Sequence, residues 1–220
     1  MQKRGIFIVI DGVDGSGKQT QKDLLIERFK KEGLPLETVS FPRYGNPAAS
    51  SVEKYLQGKY PGKLLPEQAS LFFAADRLDW SLTIGEPTIA SGTNIVADRY
   101  VLSNMGHQGG KINNFELRRL FFGWENDLEF GALQLVRPDL NIILHIPATM
   151  SEALVTSRGA AKDIHEADPE HLRRAEETYL ELAQIMPKTK LIECAPEGTM
   201  LSREAVHELV WTEVRQQLER

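Results

Sequence analysis

The run Gly12-Val13-Asp14-Gly15-Ser16-Gly17-Lys18-Gln19-Thr20 holds the residue types and spacing that speak most directly of chemistry in this 220-residue chain. Glycines spaced in this way let successive backbone N–H groups converge on anionic oxygens. The lysine after them can reach the β- and γ-phosphates of a nucleoside triphosphate. The bland alternative is a glycine-rich turn with a solvated lysine. An apolar run, Ile6 to Ile10, precedes the glycines and a helical pattern follows them. That setting favours the phosphate loop, because the helix N-terminus adds its positive potential. One position departs from the usual pattern. Where a serine or threonine hydroxyl ordinarily binds Mg²⁺ the chain has Gln19, and Thr20 stands about 100° further round the helix. A metal here falls to an amide oxygen or, by preference, to phosphates, water and nearby acids, with Asp14 and Asp98 as candidates.

Three other clusters could serve a phosphoryl acceptor. Phe41-Pro42-Arg43-Tyr44 holds an arginine at a rigid turn. In Leu71-Phe72-Phe73-Ala74-Ala75-Asp76-Arg77, a helix puts Phe73 and Arg77 one turn apart on one face. Asp98-Arg99-Tyr100 is followed by Ser103 and Asn104. Singly, each has an ordinary reading as a solvated charge or a core ring. Beside a phosphate loop, they supply cations for an acceptor phosphate, an aromatic plate for a base and amides for its edge.

These residues meet only if the elements between them place them at one edge of a sheet. Gly5 to Ile10 is apolar without alternation and predicts a strand buried on both faces. Further strands are expected over Leu36–Phe41, Asn94–Ala97, Asn141–Ile146 and Lys190–Ile192. Helices are expected from about Lys18 to Lys31, with Gly33 as its stop, and near 47–58, 66–90, 114–133, 149–158, 168–186 and 202–218. Asp168-Pro169-Glu170 supplies a cap and a first-turn proline, and Val206, Leu209, Val210 and Val214 form a stripe on the last helix. The alternation predicts one α/β domain over residues 1–220, a parallel doubly wound sheet whose ligands lie beyond the carboxyl ends of its strands. The net charge of -5 argues against a nucleic-acid surface. Cys194 is the single cysteine, which excludes an intramolecular disulfide and suits a reducing cytoplasm. No run approaches the ~20 apolar residues of a membrane span. A GTPase switch would want an Asn-Lys-x-Asp motif, which the sequence lacks.

Taken in order, these pieces resemble the thymidylate kinase family over nearly the whole chain. To the phosphate loop and the three acceptor clusters are added Arg137-Pro138-Asp139 and Ser157-Arg158-Gly159…Asp163-Ile164-His165-Glu166. The resemblance implies a P-loop kinase fold with a five-stranded parallel core sheet, a short mobile lid at about 157–166, and a cytoplasmic homodimer. It implies transfer of a phosphoryl group from ATP to dTMP with Mg²⁺. Asp14 is then expected on the sugar 3′-hydroxyl or a metal water, Arg43 and Arg99 on the acceptor phosphate, and Phe73 stacked on thymine. Arg77 is expected at O4 and Asn104 at the N3 edge, with Phe41 and Tyr44 beside them. His165 falls where the family often has tyrosine, near the deoxyribose, and Glu166 joins Asp14 and Asp98 as a metal candidate. Lys18, Arg99 and Arg158 are the expected catalytic cations. The acceptor phosphate is mostly dianionic at neutral pH, since its second pKa is about 6. No general base is expected, and catalysis reduces to alignment and charge neutralisation.

Overall fold

The computed structural model describes residues 3–157 and 168–219. Five strands, β1 (Phe7–Asp11), β2 (Leu36–Ser40), β3 (Asn94–Asp98), β4 (Leu140–His145) and β5 (Thr189–Glu193), form one sheet. Their order is β2-β3-β1-β4-β5 and every pairing is parallel. β1 is the central strand and is wholly buried, as an apolar run without alternation requires. Its neighbours lie in a register that brings Ile10 opposite Asp98, Asp11 opposite Ile143 and Ser40 opposite Asp98. The carboxyl ends of β1, β2 and β3 are therefore level. Asp139 sets the other end: its Oδ2 accepts from the backbone N–H of Phe7 at 2.9 Å.

α1 (Lys18–Lys31) leaves the glycine loop and packs on α9 (Arg203–Leu218), with Phe29 edge-on to Trp211 at 5.7 Å. Val206, Val210 and Val214 of α9 are buried as expected, but Leu209 is exposed and Trp211 takes its place in the core. α2 is Ser50–Leu56, after a 3-10 turn at Pro47–Ala49. The rod expected over 66–90 is α3 (Pro66–Trp80), a wide π turn at Ser81–Gly85, and α4 (Glu86–Ala90). α5 (Val101–Gly109) is a helix that the sequence pattern does not announce, and it packs against α3, α6 (Phe115–Asn126) and α8 (Pro169–Ile185). A second π turn, Asp127–Ala132, extends α6. α7 is Ala148–Ser157. Asp168 caps α8, accepting from the N–H groups of Glu170 at 3.0 Å and His171 at 3.2 Å. Phe7, Phe41, Trp80 and Tyr100 interlock in the core beside the sheet, Phe7 meeting Tyr100 edge-on at 4.9 Å.

Candidate active site

The glycine loop turns between β1 and α1 on three left-handed glycines, Gly12 (φ 134), Gly15 (φ 83) and Gly17 (φ 92). At Gly12 a side chain is excluded twice, by φ and because a Cβ would stand 2.4 Å from the carbonyl oxygen of Leu144. Lys18 is buried, and its Nζ donates to the carbonyls of Gly12 at 3.0 Å and Val13 at 2.8 Å, with Asp14 Oδ1 4.0 Å away. Burial, and then the charge of Arg99, push its pKa down to about 8 against the pull of Asp14, Asp98 and Asp11. Val13 is buried, Ser16 Oγ is buried with no hydrogen-bond partner among the described residues, and Thr20 does not line the cavity.

Arg99 follows β3 in a left-handed conformation, φ 69. Its Nη2 pairs with Asp14 Oδ1, and its Nη1 lies 3.0 Å from Nε2 of His107 and 3.4 Å from Ser103 Oγ. Burial and the Arg99 charge hold His107 neutral, well below the usual imidazole range. Its Nδ1 meets Nε2 of His171 at 3.2 Å. Asp11, at the end of β1, is fully buried and accepts from Ser103 Oγ at 2.6 Å and the Tyr179 hydroxyl at 3.0 Å; burial raises its pKa.

From this loop a cavity of about 400 Å³ opens toward α3 and α5. Asp14, Gly15, Gly17, Lys18 and Gln19 form its phosphate end. Asp98 and Arg99 stand at its waist, and Phe41, Tyr44 and Phe73 are on its walls. Arg77 and Asn104 line its far end. Arg77 is fully buried and binds Glu129 through Nε at 2.8 Å and through Nη2. The structure thus brings together the aromatic, the arginine and the amide picked out in the sequence. Arg43 is turned away from them. It lies outside the cavity lining, with its Nε on Asp76 Oδ1 at 2.7 Å and its Nη2 on Asp79 Oδ2 at 2.6 Å. Arg158, Lys162, His165 and Glu166 fall outside the described residues.

Ser40, Leu56, His107 and Gln108 also line the cavity and escape sequence reasoning. His107 and Gln108 sit on α5, whose glycines and asparagine mask its helical character, so no periodic signal marks them. Glu129 escapes too, as an acid in a helical stretch that reads as solvated surface.

For a divalent cation, the described residues contain no cluster of three or more metal-ligating side chains. Asp98 Oδ1 is buried, has no hydrogen-bond donor among the described residues and belongs to a residue lining the cavity. Asp14 is held by Arg99, and the Gln19 amide donates to Asp23 Oδ1 at 2.7 Å. This donor set fits Mg²⁺, which dehydrates reluctantly and takes one or two carboxylates with phosphate and water making up the octahedron.

A family model described as thymidylate kinase matches residues 10–208. The chain belongs to the thymidylate kinase family. A probable thymidylate kinase of Thermococcus gammatolerans is 31% identical over 193 residues, covering 86% of this chain and 88% of that one. The thymidylate kinase of Mycobacterium tuberculosis is 31% identical over 187 residues, 81% and 86% of the two chains. The solved structure of thymidylate kinase from Candida albicans superposes with a TM-score of 0.75 at 22% identity, covering 97% of this chain and 93% of that one. The α/β P-loop kinase fold expected from the sequence is the observed one. The cavity described above lies, in this thymidylate kinase family member, where the carboxyl ends of β1, β2 and β3 meet.

Proposed function

We propose that this chain, acting as one domain, transfers the γ-phosphoryl group of ATP to dTMP, giving dTDP and ADP. The observation that carries the reading is one continuous cavity with Lys18 and its glycine loop at one end and Phe73, Arg77 and Asn104 at the other. ATP lies along residues 12–20 with its terminal phosphates on Lys18. The acceptor phosphate draws Arg99 from Asp14 and fills the waist between the two ends. Arg43 joins Arg99 there if its pairs with Asp76 and Asp79 open. Phe73 stacks on the base, Arg77 donates to O4, and Asn104 accepts from N3–H. Cytosine would set its amino group against Arg77, and a buried donor facing a donor is strongly rejected. The thymine methyl is worth only ~1–3 kcal/mol over uracil, so dUMP is a slower acceptor rather than an excluded one.

Lys18 and Arg99 neutralise charge on the transferring group, and because the acceptor is already a dianion no base is needed. Mg²⁺ bound by the phosphates, water and Asp98, with Asp14 and Glu166 as further candidates, would lower the charge on the phosphoryl oxygens. Arg158, His165 and Glu166 belong to the proposed lid, where Arg158 is the cation placed over the phosphates and His165 sits near the sugar. A cytoplasmic homodimer completes the proposal. The exposed Leu71, Leu82, Leu117 and Leu120 support it, as does the absence, among the described residues, of any helix long and apolar enough to cross a membrane. The test is a coupled assay of ADP release with dTMP, dUMP, dCMP, dGMP and thymidine in turn. dTMP is expected to be the best acceptor. Release with dTMP no faster than without acceptor, alongside turnover of another nucleotide, would transfer the assignment to that nucleotide.

A further inference from the structure

At the far end of the cavity, donors and acceptors are sorted by one buried carboxylate. Glu129, in the π turn that extends α6, is fully buried, and so is Arg77. Its Oε2 accepts from Arg77 Nε at 2.8 Å, and its Oε1 accepts from Arg77 Nη2. The same Oε1 lies 3.5 Å from Asn104 Nδ2, which also donates to the carbonyl of Ser70 at 3.3 Å. Arg77 Nη1 and Asn104 Oδ1 make no hydrogen bond to the described residues, and both side chains line the cavity. A carboxylate only accepts, whereas a guanidinium only donates and an amide does both. Glu129 therefore draws the amide NH₂ and two guanidinium nitrogens inward, which leaves one donor and one acceptor for the ligand.

We propose that Glu129 is a positioning residue that sets the polarity of this surface, so that it accepts a 4-oxo, N3–H pyrimidine and rejects a 4-amino one. The inference rests on the dTMP reading above. It gives a reason for burying this ion pair at all, since an isolated buried pair gains little net stability over apolar packing. A second buried acid, Glu125, lies beside Glu129, and burial together with the Glu129 charge pushes it up to about 8. The raised value favours its uncharged form and leaves Glu129 as the ion-pair partner of Arg77. A neutral side chain at 129 would release Arg77 and carry an NH₂ of its own, against which the Asn104 amide would have to turn over.

The experiment compares dTMP and dCMP as acceptors for the wild type and Glu129→Gln at saturating ATP. The ratio of the two kcat/KM values is expected to fall about tenfold or more, which is about 1.4 kcal/mol of discrimination. The fall should appear mainly as a higher KM for dTMP, with the KM for ATP held within roughly twofold, because the ATP end is untouched. If Glu129→Gln does not fold, Glu129→Asp keeps the charge but withdraws both oxygens by one methylene. Its ratio should fall about fivefold, within the ~1–3 kcal/mol range of single-contact discrimination. A folded variant with an unchanged ratio and unchanged KM for dTMP would reduce Glu129 to a strut between α3 and α6. A wild type that does not use dTMP at all would overturn both this inference and the dTMP reading, which separates that failure from the first.

Discussion

Burial and the neighbouring Arg99 bring the Lys18 ammonium down to about 8, inside the range of an ordinary assay. Well above that pH the free protein holds mostly an uncharged amine where the triphosphate needs a cation, and well below it the lysine is mostly charged. The kcat/KM for ATP should thus decline as pH rises through about 8, while kcat declines later, because bound phosphates favour the charged lysine. A kcat/KM that is flat to pH 9.5 would remove the Lys18 charge from ATP binding. Gln19 offers a second test at this scale. Its amide NH₂ donates to Asp23, and Asp98 Oδ1 has no donor among the described residues. Gln19→Thr supplies a hydroxyl at the position next to Lys18, and should lower the Mg²⁺ concentration giving half-maximal rate by severalfold. An unchanged requirement would mean that Asp98, phosphate and water carry the metal without help from this position.

At the scale of elements, α5 decides how closely the helices approach. Gly106 faces Tyr179 of α8, and a Cβ there would stand 2.6 Å from the ring's Cζ. The Tyr179 hydroxyl is also a donor to buried Asp11. Gly106→Ala must push this ring aside and disturb its bond to Asp11. Overpacking of this kind typically costs about 1–3 kcal/mol, to be read as a lower urea midpoint with an unchanged slope. A wild-type midpoint would show that Tyr179 has room to move. α5 also shows why pattern reading missed an element: Val101-Leu102-Ser103-Asn104-Met105-Gly106-His107-Gln108-Gly109 is poor in helix formers and is buried on nearly every side. Its helical form is imposed by α3, α6 and α8, not by propensity. The rods over 66–90 and 114–133 were legible as helices, but the π turns within them were not. The second of these carries Glu129 to its place under the cavity.

For the molecule as a whole, Glu125 makes stability depend on pH. Its carboxyl has an ordinary value of 4.5 when unfolded and about 8 when folded, raised first by burial and then by Glu129, with Arg77 opposing. Between those values the folded state holds a proton that the unfolded state has released. Its contribution to stability therefore falls as pH rises, by at most about 1.4 kcal/mol per pH unit, and levels off above about 8. Glu125→Gln, which is neutral at every pH, should lose this slope. The difference in unfolding free energy between variant and wild type should widen in the variant's favour from pH 5 to pH 8. A constant difference would mean that Glu125 is ionised in the folded protein throughout. The phosphate loop and the five strands could be read from the chain because each depends on neighbours a few residues away, whereas the register between strands pairs residues as distant as Ile10 and Asp98. Glycine spacing, apolar runs and caps act within a turn or a strand. Which side chains pair across the site could not be read in the same way. Arg77 finds Glu129 52 positions away, and Arg99 finds Asp14 85 positions away. Arg43 turns to Asp76 rather than to the cavity because α3 presents two acids to it. A charged residue in a sequence looks the same whether it ends in water or in a buried pair, and only the packing of distant elements chooses between them.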